Sequence, residues 1–231
     1  MSGNAIKNSY LYGIQPHQLI DCAGVQLQQD TAAAFTAMQR QAQLEGIHIE
    51  ICSAHRTFVK QAQIFNAKAN GIRPLLDIEC RPLDSKSLNQ DELLHAILNW
   101  SALPGGSRHH WGTDIDVFDT NRIKQKDLKL VAAEYEATGP CGKLSSWLKE
   151  HAPQYGFFFP YQKGKSGVSP EPWHLSYAPI SARYLELFDP KALQDIIYHS
   201  DISLKKSILD HLPYLVEKYV YRIADIDSQV R

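Results

Sequence analysis

The chain has no surplus of either charge: 24 lysines and arginines stand against 25 aspartates and glutamates, a formal net charge of -1. That balance excludes partners held by bulk positive charge, so neither nucleic acid nor an anionic membrane surface is expected. Long apolar runs are also missing, and none approaches the roughly 18 to 20 residues of a membrane-spanning helix. Met1 to Tyr10 has neither the basic nor the apolar section of a secretion signal, which predicts a soluble, cytoplasmic protein. Cysteines are few: Cys22, Cys52, Cys80 and Cys141 form no C-x-x-C pair, which argues against a zinc ribbon or a dithiol redox motif and for free thiols. There is no internal repeat, low-complexity tract or block of like charge. What remains is a chain of 231 residues, 44% apolar, long enough to bury a core unaided.

Periodicity and breakers give an α+β reading, a small antiparallel sheet flanked by helices with a helical C-terminal tail. Asp30 is placed to cap a helix running to Glu45, with Ala34, Phe35, Met38 and Ala42 on one face and Gly46 as the stop. Ile47 to Ile51 alternates as a strand, and helices follow from Thr57 to Ala69 and from Gln90 to Trp100, with Arg73 to Asn89 between them read as loop. Thr113 to Phe118 reads as a strand, Leu144 to His151 as a short helix, and Gly156 to Phe159 as a β-prone aromatic segment. Two tail helices are expected, Pro190 to His199 and Ser203 to Arg222, the second split or kinked at Pro213. Its stripe of Leu204, Ile208, Leu212, Leu215 and Tyr219 reads as core contact. The domain division is 10–185 for a catalytic domain and 186–231 for a helical extension.

Two clusters carry chemistry. Ser107 to Asp119, SRHHWGTDIDVFD, packs two histidines and three aspartates behind a Pro-Gly-Gly turn, and Glu171-Pro172-Trp173-His174 adds a carboxylate and an imidazole. Imidazole and carboxylate suit zinc, and a hydrolytic zinc site uses three protein ligands plus a further titratable group that takes a proton from water. On a strand Asp114 and Asp116 share a face. Spacing alone does not choose between them, nor between His109 and His110.

The sequence here resembles the VanY-like D-alanyl-D-alanine carboxypeptidases, zinc peptidases that share a fold with the hedgehog signalling domain. The family motif S-x-H-x-x-G-x-A-x-D matches Ser107, His109, Gly112 and Asp116, and E-x-W-H matches Glu171, Trp173 and His174. A third element, close to S-G-Y-R-S followed by Q, is matched by Ser53-Ala54-His55-Arg56-Thr57 with Gln61. The resemblance implies a hedgehog/DD-peptidase-like domain holding one Zn2+ through His109, Asp116 and His174. It further implies Glu171 as catalytic base, Arg56 facing the substrate and steadying the tetrahedral oxyanion, and Gln61 and Ser107 at substrate-contact positions. Asp114 departs from the motif's alanine and is open to three roles, an acceptor for a ligand histidine, which is the preferred reading, a fourth ligand, or a solvent-facing residue at the sheet edge, while His110 is read as a packed or hydrogen-bonded neighbour.

The implied activity is carboxypeptidase hydrolysis of cell-wall peptides ending in D-Ala-D-Ala, by Glu171-assisted attack of zinc-activated water. A free carboxylate on that substrate needs a cationic subsite, for which Arg56, Arg73, Arg81 and Arg108 are candidates. The rival readings are a stem-peptide endopeptidase, a D-Ala-D-Ala dipeptidase and, from a different class, a zinc-stabilised binding module. Sequence leaves the oligomeric state open.

Overall fold

The computed structural model describes residues 6–226 and 228–230; the first five residues of the segment read for a secretion signal lie outside them. The chain first forms a hairpin, β1 (Leu19–Cys22) against β2 (Val25–Gln28). Its turn is Ala23-Gly24, with φ of 54° and 85°, the left-handed pair that a two-residue hairpin requires. Helix α1 (Gln29–Leu44) follows directly. Its cap is Gln28 rather than Asp30: the Gln28 side-chain oxygen accepts the N–H groups of Asp30 and Thr31 at 2.8 and 3.0 Å, leaving Asp30 in the first turn. Phe35, Met38 and Ala42 are buried as expected, and Thr31 and Ala32 join them while Ala34 is only half-buried.

The remaining elements are β3 (Ile49–Ser53), α2 (Phe58–Ala69), β4 (Leu75–Leu76), β5 (Pro82–Leu83), α3 (Gln90–Leu98), β6 (Asp114–Asp119), α4 (Gly142–His151), β7 (Phe157–Phe158), β8 (His174–Tyr177), α5 (Ala178–Glu186), α6 (Pro190–His199) and α7 (Lys205–Val216). The predicted strand at 47–51 is displaced by two residues, and the loop at 73–89 contains the short β4–β5 ladder. A helix over 178–186 was not expected. Pro213 does not split α7, which continues to Val216 and widens into a π turn over Glu217–Tyr221.

The main sheet is antiparallel in the order β3-β6-β8-β7. Central β6 is buried along its whole length, Ile115 and Val117 joining the core built from α1, α4 and the neighbouring strands. Helices α2, α3, α5, α6 and α7 supply a second apolar cluster around Leu11 and Trp111. The tail stripe of Ile208, Leu212, Leu215 and Tyr219 is buried in that cluster. Beyond α7 the chain meets the loop ahead of β8, where the Gly167 N–H donates to the Arg222 carbonyl at 3.1 Å. A Cβ on Gly167 would stand 1.7 Å from the Lys218 carbonyl oxygen. Gly167→Ala is therefore expected to cost about 2 kcal/mol or more, lowering Tm by roughly 4–8 °C in scanning calorimetry. An unchanged Tm would mean that this tail does not press on the loop.

Candidate metal centre

The register of β6 against β8 builds the centre. Asp116 pairs directly with His174 and Asp114 with Ser176, so alternate side chains of β6 meet alternate side chains of β8 on one face. His109 comes from a single helical turn, Arg108–Trp111, closed by Gly112 at φ 70°. Only glycine fits there: a Cβ would approach Leu19 Cδ2 at 2.5 Å and the Gln28 nitrogen at 2.9 Å. Glu171 and His174 are brought together by a turn in which the His174 N–H donates to the Glu171 carbonyl at 3.1 Å. The Glu171 N–H is tied in turn to the Tyr161 carbonyl, also at 3.1 Å.

Hydrogen bonds fix which imidazole nitrogens face inward. His109 Nδ1 lies 2.9 Å from the Ala54 carbonyl, which can only accept, so Nδ1 carries the proton and Nε2 is bare. His174 Nε2 lies 2.9 Å from the Asp114 carboxylate, which holds a proton on that nitrogen and turns Nδ1 the other way. Both remaining nitrogens face Asp116: His109 Nε2 is 3.3 Å from Oδ2 and His174 Nδ1 is 3.0 Å from Oδ1. One ligand atom from each of His109, Asp116 and His174 falls within 4.8 Å of the other two. His174 Nδ1 and Asp116 Oδ1 are buried and, despite their closeness, make no hydrogen bond. Two orphaned buried groups facing one point are what a cation between them would satisfy. Ligand atoms at zinc's usual 2.0–2.2 Å stand roughly 3.4 Å apart in a tetrahedron, so the triad fits that ion.

Charges follow the same arrangement. Burial alone would raise Asp116, but the His109 and His174 imidazoles beside it hold its carboxyl well below the usual carboxylate range. Burial lowers His109, helped by the Arg56 charge. His174 goes the other way, well above the usual range, because Asp114, Asp116 and Glu171 together outweigh its burial. Glu171 is raised by burial, against the pull of His174 and Arg56. Its Oε2 lies 3.3 Å from His174 Nδ1, beside the triad but outside it.

Arg56 donates to Ser53 Oγ from Nε at 3.0 Å and from one terminal nitrogen at 2.7 Å, and to Asp116 Oδ2 at 3.2 Å. Ser107 lines the same cleft with a buried hydroxyl that has no hydrogen-bond partner among the described residues. Gln61 does not reach the cleft: its buried amide donates to the Ala102 carbonyl at 2.8 Å and accepts from Arg56 at 3.4 Å, so it positions the arginine instead of contacting substrate.

His110 is excluded as a ligand because both nitrogens are used, Nδ1 toward the Arg56 carbonyl at 2.6 Å and Nε2 toward the Gly105 N–H at 3.0 Å. Burial pushes it down to about 3. Arg108 is excluded as a subsite, buried and paired with Asp114 at 2.9 Å, while Arg81 is bound to Asp77 and Glu79 away from the cleft. Tyr161, at the end of the aromatic segment, lies beside the centre, its ring centred 4.8 Å from that of His174 and tilted 56° to it.

The family model for VanY, described as D-alanyl-D-alanine carboxypeptidase, matches residues 24–180. An uncharacterized protein of Haemophilus influenzae is 32% identical over 121 residues, 51% of this chain and 92% of that protein. In overall shape the chain is similar to a variant of the vancomycin-resistance D,D-pentapeptidase VanY solved with Zn(II), with a TM-score of 0.53, 23% identity, and coverage of 85% of this chain and 90% of that one. It is similar also to the LD-carboxypeptidase LdcB, with a TM-score of 0.52, 17% identity, and coverage of 95% of this chain and 81% of that one. The three sequence motifs, the converging triad and the match over most of the chain agree, and the protein belongs to the VanY D-alanyl-D-alanine carboxypeptidase family.

Proposed function

We propose that the protein is a zinc carboxypeptidase that releases the terminal D-alanine from cell-wall peptides ending in D-Ala-D-Ala. The observation that carries this reading is the meeting of His109 Nε2, Asp116 and His174 Nδ1, with the Glu171 carboxylate next to them and outside the set. A zinc ion held by the three would supply Lewis acidity, polarising the scissile carbonyl and bringing the pKa of water toward neutrality.

The chain's own residues do the rest. Glu171 takes the proton of the attacking water on its carboxylate and returns it to the leaving amine, and a pKa raised by burial suits both transfers. Arg56, held by Ser53 and Gln61, presents a fixed cation to the oxygen on which negative charge develops. Tyr161 and Trp173 wall the centre and restrict water. A purely structural zinc would use neither Glu171 nor Arg56, which disfavours the binding-module reading. The cleft, about 770 Å³, is larger than a free dipeptide fills, which favours a longer peptide over the dipeptidase reading.

Zinc-loaded protein is expected to release D-alanine from a stem pentapeptide, to act poorly on free D-Ala-D-Ala and to leave a cross-linked muropeptide intact, as read by mass spectrometry. Chelation should abolish the release and added zinc restore it. Full zinc loading with no hydrolysis of any D-Ala-terminated peptide would overturn the proposal.

A further inference from the structure

Helix α2 presents Lys60, Ile64 and Lys68 to the cleft, spaced four apart and therefore along one face of the helix. Arg73, just beyond the helix, lines the same side, and Lys129 lines the cleft as well. Besides the centre's own Asp116 and Glu171, no carboxylate among the described residues lines this space. Arg56 is occupied by Asp116 and Ser53, but Lys60, Lys68, Arg73 and Lys129 make no ion pair among the described residues. Lys68 is largely buried, which lowers its pKa; the Glu171 charge raises it and the Arg73 charge lowers it, so it sits near both the centre and another cation. In a chain with net charge -1, four unpaired cations along one cleft form a local field of one sign.

A peptide whose only anion is its C-terminal carboxylate would match one of these cations and leave the others unmatched. We infer that the cleft selects anionic peptides, substrates carrying at least one side-chain carboxylate besides the terminal one, with Lys60, Lys68 and Arg73 forming the receiving subsite. This deepens the carboxypeptidase reading and rests on it for the location of the substrate.

The test uses two pentapeptides ending in D-Ala-D-Ala that differ only in glutamate or glutamine at the second residue, with the last peptide bond N-methylated against cleavage. Calorimetric titration of the zinc-loaded full chain is expected to show the glutamate peptide binding about fivefold more tightly, a preference that shrinks in about 0.3 M salt. Lys68→Gln with Arg73→Gln should weaken the glutamate peptide more than the glutamine peptide and so reduce the ratio to near one, with the protein's Tm unchanged, and Lys60→Gln alone should reduce it in part. Equal binding of the two peptides by wild type, binding of neither, or a preference that survives the double substitution would overturn the inference. Cleavable versions run in parallel separate the two claims. Discrimination without hydrolysis would refute the peptidase reading and support the subsite; hydrolysis without discrimination would do the reverse.

Discussion

Glu171→Gln is expected to lower kcat for D-alanine release by about a thousandfold or more, with zinc content unchanged and KM altered little. Glutamine keeps the shape and hydrogen-bonding reach of the side chain but cannot accept the proton that the reaction must move. Metal should stay because the donor atoms belong to His109, Asp116 and His174, and Glu171 only adjoins them at 3.3 Å from His174. The side chain is 12% exposed, enough for contact with a substrate in the cleft and little enough for burial to raise its pKa. Metal analysis beside steady-state kinetics decides the matter. If zinc and activity disappear together, Glu171 is a ligand and the base lies elsewhere; if activity persists, the proton moves by another route.

What could be read in advance depended on whether a feature is local. The two-residue period of a strand places Asp114 and Asp116 on one face, and β6 confirms it. Helices α2, α3 and α6 were legible from periodicity and breakers, and the structure shows Thr57, Asn89 and Asp189 capping them, each accepting a backbone N–H two or three residues on. The β1–β2 hairpin was not legible, since its turn uses an alanine at positive φ, where sequence patterns look for asparagine or aspartate.

Other features depend on long-range pairing. Nothing near Glu171-Pro172-Trp173-His174 says that His174 starts a strand opposite Asp116, yet that register brings the ligands together. Gln61 shows the limit of motif transfer: its position was identified, but only burial reveals that it serves Arg56. The resemblance likewise could not say what Asp114 does, because the motif has alanine there.

Asp114→Asn is expected to cost about 3–5 kcal/mol of stability in the metal-free protein and to weaken zinc binding by roughly tenfold or more. Asp114 is fully buried and serves four groups. Its Oδ1 accepts from Arg108 Nε and His174 Nε2, both at 2.9 Å, and its Oδ2 accepts from Thr113 Oγ1 at 2.7 Å and Ser176 Oγ at 3.1 Å. Arg108 is equally buried and one of its terminal nitrogens already lacks a partner, so neutralising Asp114 would leave a guanidinium charge deep in the protein with little to offset it. The carboxylate also keeps the proton on His174 Nε2 and so keeps Nδ1 available toward Asp116. Combining Asp114→Asn with Arg108→Met separates these effects. Removing the stranded cation should recover most of the lost stability in denaturant titrations, because an apolar side chain of similar size suits a site beside Trp111 and Phe158. Zinc affinity, measured by competition with a chromogenic chelator, should stay low because nothing replaces the anion on His174. Full recovery of zinc affinity in the double variant would show that Asp114 acts only as a counter-charge for Arg108 and does not orient His174.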